Sequence, residues 1–278
     1  MTQPVPEEKL RLGGMALRNG LLVHGPTHWA AAIRARDGRI EVASGRKPAI
    51  SDPVTLPGVR GIAKLAEAFA VIPLVKRALP GARLPMQDPR TLGTMAAAAA
   101  AGHGLRAAGS RTVAREAAIA GISLLPALLA LRGGELASYP GVEHKAIAAY
   151  EQDDDAANAQ KEHDRCGSNL VAPMLASSVA GSVAARRAGL RGPAADGAVA
   201  LGSMAVAVEL FGWAERHPDS RVTRWLRRPG HEIQRAVGTR EPTPEQLEVG
   251  RAALDEILRV EGNQADPGTS GHADAPPG

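Results

Sequence analysis

The sequence predicts a mainly α-helical protein with a small N-terminal β-hairpin unit, an α+β fold in which helical hairpins associate with a membrane. Three features predict it: a tight-turn signal between two apolar runs, a helical spacing of apolar residues from residue 58, and four alanine-rich apolar stretches. The 278 residues, 44% of them hydrophobic, can form a core, although aromatic residues make up only 3%. We therefore expect a core built largely from small side chains.

The β unit is predicted from residues 29–35 and 39–43, two apolar-rich runs on either side of Arg36-Asp37-Gly38. Asp-Gly between such runs is a strong signal for a tight turn, so the two runs should pair as a hairpin. Ahead of them, Gly13-Gly14 and Gly25-Pro26 punctuate a segment that we expect to wrap against the hairpin.

An amphipathic helix is predicted over residues 58–79. Its apolar side chains recur at helical spacing, basic residues lie near its ends, and Pro73 is a point at which it could bend. The apolar face could pack against the hairpin or lie on a membrane surface.

Four weakly hydrophobic stretches follow, at residues 92–105, 117–131, 170–185 and 194–214. The first three are shorter than the roughly 20 residues that a helix needs to cross a bilayer, and the fourth carries acidic residues. None is therefore a clear span. Four spans would also place two arginine-rich loops outside, against the positive-inside rule. Spanning helices, hairpins that dip into the membrane and a soluble helical bundle all remain open.

The C-terminal part contains a well-defined helix start. Thr243 is an N-cap residue, Pro244 occupies the first helical position, and Gln246 completes a capping box. The helix should end near Val260. Beyond it, the glycine, proline, aspartate and serine of residues 262–278 indicate a disordered tail.

The organisation that we expect is a sequence of alternating polar and apolar units. They are a flexible N-terminus (1–10), a β-hairpin plus amphipathic helix (11–91), a first apolar helical hairpin (92–131), a motif segment (132–169), a second apolar helical hairpin (170–214), a C-terminal helical part (215–261) and a disordered tail (262–278).

Charge and cysteine content restrict the partners and the compartment. The net charge of +4 and the pI near 9.6 favour anionic lipid headgroups or nucleic acid, but so few aromatic residues fit base stacking poorly. We therefore predict membrane lipids or membrane proteins as partners, and no nucleic acid. A single cysteine excludes an intramolecular disulfide, and the start of the chain has no apolar signal segment, which indicates soluble parts in the cytoplasm.

Residues 139–168 contain the side chains best suited to bind a metal. His163 and Cys166 have the H-x-x-C spacing that lets both reach one tetrahedral ion, and His144 can add a second nitrogen ligand. A fourth position left to water would be the arrangement of a catalytic zinc. Glu143 lies about 100° from His144 around the predicted helix, so it is the candidate general base, or a partner that hydrogen-bonds a ligand, rather than a ligand itself.

A structural interpretation of the same residues also stands. A single cysteine is commonly a small buried apolar residue, and a histidine often only satisfies a buried carbonyl. Glu143 and Lys145 would then be ordinary charges on a helix surface, and residues 153–155 a solvated acidic loop.

The pattern of these residues resembles the YqhQ-like bacterial proteins, a family of unknown function described as predicted metal-dependent enzymes that usually carry several membrane helices. The resemblance runs in order through residues 10–260 and rests on Gly13-Gly14-Met15-Ala16, Gly20, Gly25-Pro26, Arg60-Gly61, Glu67, Tyr139-Pro140-Gly141-Val142-Glu143-His144-Lys145, Tyr150-Glu151, His163-Asp164-Arg165-Cys166-Gly167, Thr239-Arg240-Glu241-Pro242 and Gln246-Leu247-Glu248-Val249.

The resemblance implies membrane association and a metal at the histidine and cysteine positions. The family pattern usually has His where this chain has Pro140 and Glu where it has Asn19, so two polar groups are missing here. The leading hypothesis is a protein of the cytoplasmic membrane with a metal-dependent, hydrolase-like site that faces the cytoplasm. The alternative is a non-catalytic membrane scaffold or adaptor that has lost the metal site.

Overall fold

The computed structural model describes residues 9–54, 59–107, 112–132, 138–160 and 162–265, without the side chains of Met86, Arg132, Val237, Gly238 and residues 263–265. The strands are β1 (Gly13–Ala16), β2 (Gly20–His24), β3 (His28–Arg34) and β4 (Ile40–Arg46). The helices are α1 (Val59–Ala78), α2 (Pro89–Ala107), α3 (Val113–Arg132), α4 (Ser138–Gln152), α5 (Val171–Arg187), α6 (Pro193–Arg216), α7 (Arg221–Ile233) and α8 (Pro244–Ala265). This is the mainly α, α+β fold that the sequence predicts.

The strands form one antiparallel sheet in the order β1-β2-β3-β4. The predicted hairpin is confirmed as β3 and β4, which pair from Arg34 opposite Ile40 to His28 opposite Arg46. Gly38 in its turn has a φ of 87°, a conformation that glycine adopts at no steric cost. The segment expected to wrap against the hairpin also forms strands, β1 and β2, and completes the sheet.

The sheet is packed on both faces, because alternate side chains of its central strands point in opposite directions. Leu22 and Ile33 lie in the cluster that includes Val71 and Val75 of α1. The opposite face, with Leu21, belongs to the cluster formed with α4 and α8. The helix α1 therefore packs on the sheet, the first of the two uses considered for it.

A polar cluster lies where α1 meets the ends of β2 and β4. The carboxylate of Glu67 accepts hydrogen bonds from the backbone N–H (3.1 Å) and hydroxyl (2.8 Å) of Ser51, and Lys47 Nζ lies 3.2 Å from its other oxygen. His24 projects into the same cluster. Burial, with the positive charge of Lys47, lowers the pKa of His24 to about 4, so the ring is neutral at physiological pH.

The helix α8 begins as predicted. The Thr243 N–H donates to Gln246 Oε1 at 3.0 Å, and the Gln246 N–H lies 3.4 Å from Thr243 Oγ1. It continues to Ala265, past the predicted end near Val260, because Glu261 is still held by the sheet. Residues 262–265 are thus helical rather than part of a tail, and residues 266–278 lie outside the described part of the chain, as do residues 1–8.

Glu261 connects the end of α8 to the turn between β2 and β3. Its carboxylate accepts hydrogen bonds from the backbone N–H groups of Thr27 (2.9 Å) and His28 (2.7 Å) and from the Thr27 hydroxyl (2.8 Å). A side chain at Gly25 would overlap this carboxylate, so the turn needs glycine there.

Four of the other helices form two hairpin pairs, α2 with α3 and α5 with α6. In the part of the chain that the structure describes, three segments are long and apolar enough to cross a membrane, Val113–Leu131, Gly167–Arg187 and Pro193–Arg216. The segments at α3 and α5 are longer than the apolar stretches 117–131 and 170–185, so the objection from length no longer applies to them. In each segment, at most 22% of the 18-residue apolar core of the helix is buried inside the protein. Most of its apolar side chains therefore face outward.

The two pairs extend in the same direction from the sheet. Arg186 near the end of α5 forms a 2.8 Å ion pair with Glu116 in the first turn of α3, whose side chain is only 3% exposed. The start of α3 and the end of α5 therefore meet at the end of the helices that lies away from the motif segment.

Candidate functional site

The helix α4 carries the first half of the motif and is anchored on three sides. Val142 is fully buried and packs on α8, where a side chain at Gly250 would overlap it. Lys145 forms an ion pair with Glu241 and donates from Nζ to the Ala157 carbonyl at 3.0 Å. These contacts leave little freedom for the neighbouring residues of α4.

The second half of the motif is a loop that Gln234 holds in place. Gln234 is 1% exposed, and it follows α7 in a wider π-type turn. Its Oε1 accepts from the His163 N–H at 2.8 Å, and its Nε2 donates to the His163 carbonyl (3.2 Å) and to Ser168 Oγ (2.8 Å). The loop is therefore fixed around His163 by one side chain from another helix.

A charged group ties the same loop to the end of α6. The guanidinium of Arg227, 9% exposed, donates to Asp164 at 2.7 Å and to Glu215 at 2.5 Å. Asn169 Nδ2 also donates to the Asp164 carbonyl at 2.6 Å, and a side chain at Gly230 would overlap Asn169. The motif loop is thus fixed to both α6 and α7.

The structure brings together the four side chains singled out from the sequence. Glu143, His144 and Cys166 all line one pocket of about 360 Å³, and the His144 and His163 rings lie 5.8 Å apart between centroids. The rest of the pocket wall is largely apolar and comes from Leu124, Leu128 and Leu131 of α3, Val171 of α5, Ile233, and Gly14 of β1. The site therefore lies where two candidate spanning helices meet the sheet.

The pKa of Glu143 is raised toward neutral pH. Loss of solvent around its carboxyl group, reinforced by Cys166 and opposed by the two histidines, raises its pKa to about 7. Gly14 lies so close that any side chain there would overlap the Glu143 carboxyl group. Both protonation states of Glu143 are therefore accessible near neutral pH.

His163 is held away from the role of a metal ligand. Its Nδ1 accepts from the Arg165 N–H at 3.3 Å, which places the ring proton on Nε2, and Nε2 lies 3.3 Å from Glu151 Oε2. Arg165 forms an ion pair with the same carboxylate. Burial, followed by the neighbouring His144, lowers the pKa of His163. The ring is therefore neutral, with both nitrogens engaged.

The contacts of His163 determine whether the predicted zinc ligands can meet at one ion. No group of three His, Cys, Asp or Glu side chains in the described ranges is arranged to hold a metal ion. With both His163 nitrogens occupied, the residues present do not fit the N, N, S ligand set in this arrangement. The zinc prediction requires His163 to turn away from Glu151.

The two departures from the YqhQ-like pattern lie in different places. Pro140 lines the pocket beside Glu143 and His144, so a histidine there would face the site. Asn19 is instead in the turn after β1, where its amide donates to the Arg34 and Gly81 carbonyls (both 3.1 Å) and accepts from the Arg83 N–H (2.9 Å). Asn19 therefore connects the sheet to the segment after α1.

Three residues that shape the site were not assigned a role from the sequence. Gly14 and Glu151 belong to the stretches that carry the family resemblance, and that position in the pattern was the available signal. Gln234 lies in no motif, so only the folded chain identifies it.

Comparisons with known proteins give one match. No curated protein and no solved structure matches the chain. A family model described as "Protein of unknown function (DUF1385)" matches residues 134–260, somewhat under half of the chain. The matched segment contains α4, the motif loop, α5, α6, α7 and most of α8. The part of the chain that builds most of the site is therefore similar to a family of unknown function.

Proposed function

We propose that this protein is a membrane-associated enzyme in which Glu143 transfers protons in a hydrolase-like reaction at a site that faces the cytoplasm. The observation that carries the proposal is the position of Glu143: its pKa is raised to about 7, and it lines a pocket between the polar motif and the apolar ends of α3 and α5.

A carboxyl group with this pKa suits acid–base catalysis at neutral pH. General acids and bases are most effective when their pKa lies near the working pH, because both protonation states are then populated. Glu143 can accept a proton from a water or hydroxyl group in the pocket and return it to a leaving group. His144 and Cys166, which line the same pocket, are positioned to contact the substrate.

The surroundings of Glu143 favour such chemistry. Leucines of α3 form one wall of the pocket, and an apolar wall limits water and strengthens electrostatic interactions with a reacting group. Because residues 113–131 can cross a membrane, the pocket opens near the level of the lipid headgroups.

The helix α7 supports the cytoplasmic orientation. Trp225 and Val222 are 72% and 53% exposed, and Arg221, Arg224 and Arg228 are exposed on the same short helix. Exposed tryptophan beside arginine is typical of a helix at the membrane interface, and basic residues near membrane helices favour the cytoplasmic side. This helix lies at the site end of the molecule, because it holds the motif loop.

The experiment uses purified protein in lipid nanodiscs and dicyclohexylcarbodiimide, which reacts with protonated carboxyl groups in apolar surroundings. We expect Glu143 to be labelled at pH 6 and much less at pH 8, with the site identified by mass spectrometry. The same nanodiscs, made with a bacterial lipid extract, are then analysed for hydrolysis products. Products formed by the wild type and lost in Glu143→Gln support the proposal; identical lipid profiles contradict it.

The non-catalytic scaffold is a second candidate, favoured by one observation. His163 is held by Glu151 and by the backbone of Arg165, as expected of a structural residue. A scaffold predicts that Glu151→Gln lowers the free energy of unfolding, whereas Glu143→Gln changes no lipid product. The product analysis therefore separates the two candidates.

A further inference from the structure

We propose that the groove between α2 and α3 binds a single hydrocarbon chain of a membrane lipid, and that the polar end of this lipid lies at Glu143. The inference rests on the proposed function and names its substrate class, a single-chain lipid. Its starting point is a groove of about 620 Å³ between these helices, larger than the pocket that contains Glu143.

The groove is lined mainly by small residues of both helices. Ala98, Ala99 and Gly102 of α2 and Ala127 and Ala130 of α3 are among its lining residues. Larger apolar side chains, among them Met95 and Ile119, close its sides. The walls are therefore suited to methylene groups, which pack by dispersion and need no hydrogen-bonding partner.

The groove is continuous with the candidate site. Ala127, Leu131 and Pro140 line both the groove and the pocket of Glu143. A lipid chain in the groove would thus bring its polar end to Glu143 and His144 without leaving the protein surface. A partner helix, about 10 Å across, would cover the groove but leave the polar pocket without an occupant.

The dimensions limit the chain. From Ile119 to Leu131 the groove follows α3 for about 18 Å, at a rise of about 1.5 Å per residue. Arg106 lines the far end, and its Nε is buried with no hydrogen-bond partner among the described residues. A hydrocarbon chain longer than the groove would have to pass this guanidinium, so the groove should prefer chains that end before it.

The bilayer is the source of the occupant. The helix α3 is one of the three segments long and apolar enough to span a membrane, and its Leu125 and Leu129 are both 47% exposed, outside the groove lining. One side of α3 is thus suited to contact lipid while another lines the groove. A chain can enter sideways from the membrane and keep its apolar surroundings throughout.

The test uses the full-length protein in nanodiscs and two photoreactive fatty acids, one shorter and one longer than the groove, each with a diazirine at the chain end. Labelled residues are identified by mass spectrometry. Ala98→Leu and Ala127→Leu fill the groove, whereas Ala97→Leu and Ala118→Leu, on the same two helices, lie outside its lining. These pairs are matched in size and helix.

We expect the shorter probe to label α2 and α3 within the groove, and we expect Ala98→Leu and Ala127→Leu to reduce this labelling about tenfold, because overfilled packing excludes the chain. The control variants should retain it. Labelling spread evenly over all outward faces, or reduced equally by groove and control variants, would overturn the inference. Loss of product in Glu143→Gln without groove labelling would leave only the proposed function standing, and the reverse would leave only lipid binding.

Discussion

The sheet and the helical pairs differ in where their apolar side chains lie: inside the protein in the sheet, and largely on the outer surface in the helical pairs. In β3, six of the seven residues are buried inside the protein, whereas only 17% of the 18-residue apolar core of α6 is buried. Leu22 and Leu201 illustrate the contrast, with 0% and 64% of their surfaces exposed. The sheet supplies its own apolar environment, and the helical pairs need one from outside. The candidate site lies at the boundary between the two.

The largest effect expected from this contrast concerns stability. Leu22→Ala should lower the free energy of unfolding by about 2–5 kcal/mol, because it leaves a cavity between the sheet and α1. Leu201→Ala should change it by less than about 0.5 kcal/mol. Thermal unfolding in a mild detergent measures both. Equal losses would contradict the difference in packing.

An arginine introduced on the exposed face of α6 should have a different effect from one introduced on the exposed face of the sheet. Leu201→Arg on α6 should oppose membrane insertion by about 2.5–3.5 kcal/mol. Val42→Arg on the edge strand β4, where the side chain is 42% exposed, should have little effect. Protease digestion of membrane vesicles separates the outcomes, because the α6 variant should expose residues of α6 that the Val42 variant protects. Equal protection of α6 in both variants would contradict its insertion as a spanning helix.

Acid should weaken the sheet region through His24. Its folded pKa of about 4 lies below the ordinary histidine pKa of 6.5, so the unfolded chain binds more protons between these values. Stability should therefore fall as the pH drops from 6.5 toward 4, and less in His24→Gln than in the wild type. Unfolding midpoints at several pH values test this; parallel pH profiles would show that His24 is solvated.

A rise in pH from 4.5 through 7 should lower the free energy of unfolding through Glu143. Its folded pKa of about 7 lies above the ordinary glutamate pKa of 4.5, so the folded state binds more protons between these values. The stability present below pH 4.5 is lost as the pH rises through 7, and Glu143→Gln should gain relative to the wild type over that range. A difference that does not change with pH would place Glu143 in water.

The smallest expected effect is that of zinc. With His163 held by Glu151, the described geometry predicts equal, low zinc in the wild type and in Cys166→Ala, both purified without a histidine tag. One zinc per chain in the wild type, lost in Cys166→Ala, would instead support the ligand set predicted from the sequence and a turn of His163. Elemental analysis of the two proteins decides between them.

The sequence was informative where neighbouring residues determine the structure. The hairpin at Gly38 and the start of α8 at Thr243 follow from short-range turn and capping chemistry, and both are confirmed. Proximity of His163 to Cys166 likewise follows from a spacing of three residues. Gly14 was part of the family resemblance, but its contact with Glu143 is known only from the structure.

Contacts between distant parts of the chain were beyond such reasoning. The strands β1 and β2 have few sequence signals. β2 pairs with β3 and packs on α8, whereas β1 pairs with β2 and packs on α4. The bonds from Gln234 to the His163 backbone cross 71 positions, and no local pattern predicts them. The hydrogen bond from His163 to Glu151, which changes the interpretation of the metal ligands, depends on how the loop folds back onto α4.

The position of Glu261 has a consequence for the order in which the molecule is made. The turn between β2 and β3 emerges early from the ribosome, but the carboxylate that caps it comes from one of the last turns of α8. The candidate spanning helices are synthesised between these two parts. The sheet must therefore wait, with one face incompletely covered, until the candidate spanning helices have been synthesised.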